Sequence, residues 1–62
     1  MSFGQKLKQL RLERSLSQAK LAEMLGIPQT TISDFEQCKY EPDVTVAKNI
    51  ARFFGKTIDE MA

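Results

Sequence analysis

The chain has 62 residues, 42% of them hydrophobic and 27% charged, with nine Lys and Arg against eight Asp and Glu and no His. That length supports one small core, burying only about 60% of the surface its unfolded chain exposes, and leaves no room for a second. No apolar run approaches the roughly 20 residues that span a bilayer, no signal peptide precedes Phe3, and the lone Cys38 excludes an internal disulfide and fits a reducing compartment, so the expectation is one soluble domain over residues 1–62 with no membrane partner.

Ser2 with Gln5 three residues on forms a capping box that opens a first helix, and Phe3, Leu7 and Leu10 line one of its faces. That helix breaks near Ser15. Ser17 then serves as N-cap of a second helix, on which Leu21, Ala22 and Leu25 make an apolar stripe, with Ala22 small where two helices cross closely. Gly26 supplies the left-handed stop a helix end favours. Ile27 buries the turn, and Pro28 starts a third helix with φ already fixed and no N–H left unpaired. Two short helices joined by a Gly-containing turn, over residues 18–37, make a helix-turn-helix pattern, although any helical hairpin can use a glycine this way.

Pro42 and Asp43 open a fourth helix from Val44 to Phe54, Gly55 ends it, and Thr57 with Glu60 forms a second capping box. No segment alternates as a strand does, so the fold class is all-α. On the fourth helix, apolar residues cover about half the circumference: Val44, Ala47 and Ala51 on one side, Ile50 and Phe54 in the middle, Val46 and Phe53 at the far margin. That stripe is wider than one core needs. Val46, Phe53, Ile58 and Met61 either cover one another within the monomer or form a self-complementary patch across a two-fold axis. Leu12 and Met24 fall off the core faces of their helices.

The third helix carries a polar face that packing does not require. Steps of about 100° per residue gather Ile32 and Phe35 beside Pro28 and leave Gln29, Thr30, Ser33, Asp34 and Gln37 on the other side. An ordinary solvated face holds Lys, Glu and Arg, which are good helix formers and keep a chain soluble. Short polar side chains instead hold donors and acceptors close to the backbone. There they reach base edges when a helix lies in the DNA major groove, where Gln suits adenine and Ser or Thr serves several bases. The plain alternative is a polar helix face with no ligand.

The run LSQAKLAEMLGIPQTTISDFEQ, followed by KYEP and then NIARFFGKTIDEM, resembles the Cro and phage-repressor type of helix-turn-helix domain. The resemblance runs from about Phe3 to Met61 and rests on Leu21, Ala22, Gly26, Ile27, Ile32, Phe35, Glu36, Pro42, Ala51, Gly55 and Asp59. It implies a compact five-helix bundle of bacterial or phage origin, working in the cytoplasm as a homodimer on double-stranded DNA. It further implies a transcriptional regulator that represses by occluding a pseudo-palindromic operator. On the same resemblance Gln29, Thr30, Ser33 and Asp34 face bases, Ser17, Gln18, Thr31 and Lys39 face phosphates, and Arg11 with Glu36 forms a partly buried structural ion pair. A homodimer would close through Val46, Phe53, Ile58 and Met61. The competing expectation is a protein-interaction, antitoxin or adaptor module that keeps the fold with weak or no DNA binding of its own.

A formal charge of +1 and a pI near 7.9 are weak credentials for a DNA binder. Residues 1–20 hold Lys6, Lys8, Arg11, Arg14 and Lys20 against Glu13, a net +4, and the remaining four basic and seven acidic side chains give −3. This asymmetry either puts positive potential on one side or is ordinary solvated charge. Asp34 accepts a hydrogen bond from a cytosine amine, discriminates by repelling phosphates, or is a tolerated solvent position. Ser15 and Cys38 stand where the family pattern has Gly, at sites that want φ > 0 and cost another residue about 1 kcal/mol. No neighbouring Cys or His supports a redox or metal role for Cys38. Without His, a Gly-rich phosphate loop or a cysteine beside a base, neither catalysis nor a cofactor is expected.

Overall fold

A computed structural model describes residues 2–61, which form five helices: α1 (Phe3–Glu13), α2 (Gln18–Leu25), α3 (Gln29–Glu36), α4 (Val44–Phe53) and α5 (Ile58–Met61). Local chemistry accounts for most of the starts. The Gln5 N–H donates to Ser2 Oγ at 3.3 Å and the Ser2 N–H to Gln5 Oε1 at 3.0 Å, a reciprocal box that satisfies two otherwise free donors. Ser17 Oγ accepts from the Lys20 N–H at 2.9 Å, and Asp43 Oδ1 from the Val46 N–H at 2.9 Å. Before α5, the Thr57 N–H donates to Glu60 Oε1 at 2.9 Å and the Glu60 N–H to Thr57 Oγ1 at 3.2 Å. The bond from the Thr57 backbone, more than its hydroxyl, holds the Glu60 carboxyl below its ordinary range.

Two boundaries differ by one residue from the expected ones. Pro28 is the N-cap of α3 rather than its first residue, because its ψ of 144° is extended, and no side chain caps that helix. Phe54 likewise caps α4 instead of closing it. Four helices then stop in the same way. Ser15, Gly26, Cys38 and Gly55 take φ of 56°, 69°, 60° and 68°. The next N–H in each case reaches back to a carbonyl in the last turn: Leu16 to Arg11, Ile27 to Ala22 and Lys39 to Asp34 at 3.0 Å, and Lys56 to Ala51 at 2.8 Å. This is the Schellman closure, which satisfies the orphan carbonyls of a helix end. Ser15 and Cys38 do stand in left-handed backbone.

All five helices contribute to the core, through Leu7, Leu10, Leu21, Ala22, Ile32, Phe35, Ile50, Ala51, Phe54 and Met61. Two open points about the apolar arc are decided here. Val44, placed by its period on the buried side of α4, is exposed, because as the first residue of the helix it lies beyond the neighbours that cover Ala47 and Ala51. Met61 is fully buried, since α5 lies against both α1 and α4 and turns it inward, so it has no surface to offer a second copy. Val46, Phe53 and Ile58 are half-buried and pack against the core. Among the described residues, no helix is long and apolar enough to cross a membrane.

Two further contacts hold α1 in place. A Cβ on Gly4 would lie 1.9 Å from the Phe35 carbonyl oxygen, so α1 approaches the end of α3 at a distance only glycine allows. At the other end of α1, the Arg14 guanidinium donates to the carbonyls of Phe53 at 3.4 Å and Phe54 at 3.1 Å and lies over both rings. A cation on these carbonyls complements the negative end of α4.

Candidate nucleic-acid interface

The orientation of α3 is fixed from behind. Ile32 and Phe35 insert into the core beside Leu21 and Ala22 of α2, and Tyr40 meets the Phe35 ring edge-on, with centroids 5.5 Å apart. Beside them lies a polar cluster around Glu36. Arg11 Nε donates to Glu36 Oε2 at 2.7 Å, and Arg11 Nη2 to Glu36 Oε1 at 3.0 Å. The remaining nitrogen, Arg11 Nη1, donates to the Leu16 carbonyl at 2.7 Å. Gln18 Nε2 completes the cluster with a 3.1 Å bond to Glu36 Oε1. Arg11 and Glu36 side chains keep only 9% and 4% of their surface, so this is the partly buried pair the resemblance implies. It ties α1, the α1–α2 turn and the start of α2 to the end of α3. No buried side-chain nitrogen or oxygen among the described residues lacks a partner.

The opposite side of α3 gathers the four residues assigned to bases. Gln29 and Thr30 are exposed, while Ser33 and Asp34 are half-buried. Gln37 Nε2 donates to Ser33 Oγ at 2.8 Å, which leaves the serine proton and the glutamine carbonyl free for a ligand. Gln37 has no assigned role in the sequence, although its spacing of four from Ser33 is a signal for this contact. Among the described residues no side chain caps α3, so the N–H groups of Gln29 and Thr30 at its start are not taken up by a cap.

The residues assigned to phosphates are less uniform. Ser17 accepts from Lys20 and keeps its own proton to donate. Gln18 is half-buried with one amide hydrogen turned in to Glu36. Thr31 is half-buried on α3, and Lys39 Nζ lies 3.6 Å from Asp34 Oδ1. The N-terminal basic surplus is smaller than the sequence count suggests. Arg11 holds Glu36 and Arg14 caps α4, leaving Lys6, Lys8 and Lys20, of which Lys20 lies 3.8 Å from Glu23. Sequence reasoning misses Arg14 as a structural residue because its partners are distant carbonyls, which no side-chain pattern announces.

A family model described as helix-turn-helix matches residues 7–61. The transcriptional activator BcrR of Enterococcus faecalis is 44% identical over 61 residues, which is 98% of this chain and 30% of that protein. An uncharacterised helix-turn-helix transcriptional regulator of Methanocaldococcus jannaschii is 41% identical over 56 residues, 90% of this chain and 85% of that protein. The immunity repressor of Bacillus phage phi105 is 33% identical over 55 residues, 89% of this chain and 38% of that protein. The chain belongs to the Cro/C1-type helix-turn-helix family. It spans well under two thirds of the activator and of the phage repressor.

Proposed function

We propose that residues 1–62 act as one sequence-specific duplex-DNA-binding domain of a transcriptional regulator, which represses by occluding a pseudo-palindromic operator. The observation that carries this is the outward face of α3, where Gln29, Thr30, Ser33 and Asp34 stand together on a helix whose other side is fully committed to packing. In the major groove that face offers amide and hydroxyl groups to base edges, while Ser17, Gln18, Thr31 and Lys39 take phosphates on either side. Two copies place their α3 helices in successive major grooves, with half-sites about 34 Å apart. With Met61 in the core, Val46, Phe53 and Ile58 are the members of the expected dimer patch that keep surface to meet a second copy. Such a regulator works in the cytoplasm, where a bacterial or phage genome lies.

Selection of bound sites from random duplex DNA at about 50 mM salt tests this directly. The expected product is a palindrome, bound far more weakly at about 200 mM salt, where the release of condensed counterions drives binding less. Gln29→Ala or Thr30→Ala relaxes one position in each half-site, by about 1–3 kcal/mol of base discrimination. No enrichment at low salt overturns the proposal.

A further inference from the structure

The left-handed end of α3 brings one acid and one base together on the proposed DNA face. The Lys39 N–H bonds to the Asp34 carbonyl at 3.0 Å, closing the turn over Cys38. That closure sets the two side chains next to each other, with Lys39 Nζ 3.6 Å from Asp34 Oδ1 and 61% and 30% of their respective side-chain surfaces open. The contrast with Glu36, two residues on, is direct. Glu36 is held by three charge-assisted bonds of 2.7, 3.0 and 3.1 Å and faces inward, whereas the Asp34 carboxylate has, among the described residues, one loose contact and shares the outward side with Gln29, Thr30 and Ser33.

A pair at this distance with both ends open to water is only weakly held, because water competes for them. A DNA phosphodiester bears the same single charge as the carboxylate, on two non-bridging oxygens, and its neighbours along the backbone add to the pull on an ammonium group. We infer that Asp34 is an internal stand-in for phosphate: it holds Lys39 in the free protein, and Lys39 reaches the DNA backbone only by leaving it. This rests on the DNA reading above. On random duplex, release of Lys39 exposes an uncompensated carboxylate to the phosphates, so the new contact is offset by repulsion. At a site that presents a cytosine amine to Asp34, the carboxylate gains a donor and Lys39 leaves at little cost. The pair therefore lowers non-specific affinity more than specific affinity, and it discriminates without Lys39 touching a base.

A double-mutant cycle with Asp34→Asn and Lys39→Gln, read as affinity for random-sequence duplex DNA between 50 and 200 mM salt, tests the coupling. Both side chains are on the surface, and far-UV circular dichroism checks that each variant keeps the fold. Asp34→Asn tightens binding to random duplex roughly three- to tenfold and steepens the logarithmic salt slope by about 0.9, as one more phosphate is neutralised. Lys39→Gln costs less than about twofold in the parent chain but about threefold or more in the Asp34→Asn background. Equal cost of Lys39→Gln in both backgrounds overturns the inference and leaves DNA binding standing. Failure of the parent and all three variants to bind duplex at about 50 mM salt overturns the DNA reading itself, and this inference with it.

Discussion

On the inward side of α3, Ile32 is fully buried, Glu36 accepts three hydrogen bonds, and the Phe35 carbonyl lies so near α1 that a single Cβ on Gly4 would overlap it. On the outward side, Gln29 and Thr30 are exposed, and two contacts, Gln37 to Ser33 and Lys39 to Asp34, are the pairs present among the described residues. An eight-residue helix is marginal in water by itself. Its inward face must therefore supply both its stability and its orientation, which relieves the outward face of any structural duty. The difference between the two sides separates residues that decide whether α3 exists from residues that decide what it can touch.

The largest effect expected from breaking the inward side comes from the Arg11–Glu36 pair. Glu36→Gln or Arg11→Met leaves a nearly buried charge without its partner, at a cost of about 3–5 kcal/mol. A domain of this length holds roughly 3–9 kcal/mol in total, so either variant loses at least about a third of its stability, read as a lower urea midpoint. Arg11→Met together with Glu36→Leu recovers part of the loss, because apolar side chains of similar size replace the charges with little penalty while the Leu16 carbonyl and the Gln18 amide each lose a partner. A loss below about 1 kcal/mol for either single variant would mean that packing of Ile32 and Phe35 alone orients the helix.

Gly4→Ala is the next most damaging change, and its sign is the informative part. In an ordinary helix interior the substitution adds about 1 kcal/mol of stability. Here the new methyl meets the Phe35 carbonyl at 1.9 Å, and a backbone group cannot yield as the tip of a side chain can. The expected result is a net loss of about 1–3 kcal/mol, seen as a lower thermal midpoint. A raised midpoint would show that α1 slides along α3 freely and that the seam between them is not close-packed.

These two sites also mark how far the amino-acid sequence carries. The capping boxes at Ser2 and Thr57, the stops at Gly26 and Gly55 and the two-sided α3 depend on neighbours within four residues, and all can be read from one segment at a time. The Arg11–Glu36 pair comes from family resemblance, since nothing local links residues in different helices. Gly4 carries no such signal, because its constraint is the carbonyl of Phe35 in another helix. Arg14 is similar, with backbone partners at Phe53 and Phe54. Periodicity shows that α4 has a broad apolar arc, but not that Val44 lies beyond the packed region or that α5 folds Met61 inward. A helix period says which side is apolar, not what lies opposite.

The smallest effect concerns Cys38, at the point where the two sides of α3 meet. Its φ of 60° and the 56° of Ser15 are values that glycine adopts without strain, and the other two closures of the same form use Gly26 and Gly55. Replacing a left-handed non-glycine residue relieves about 1 kcal/mol of strain, and the extra freedom glycine gains in the unfolded chain cuts the net gain to on the order of 0.5 kcal/mol. In a chain of this size that raises the thermal midpoint by about 2–4 °C. Ser15→Gly should show the full gain. Cys38→Gly should show somewhat less, because Cys38 Sγ lies 3.2 Å from Ser2 Oγ and that contact is lost with the side chain. Neither change touches the Lys39 N–H bond to the Asp34 carbonyl or the outward residues, so affinity for duplex DNA should stay as it is in both. A rise with Ser15→Gly and a fall with Cys38→Gly would mean that the contact with Ser2 outweighs the backbone strain. The end of α3 would then belong with its inward side, as a packed junction that Cys38 helps to hold.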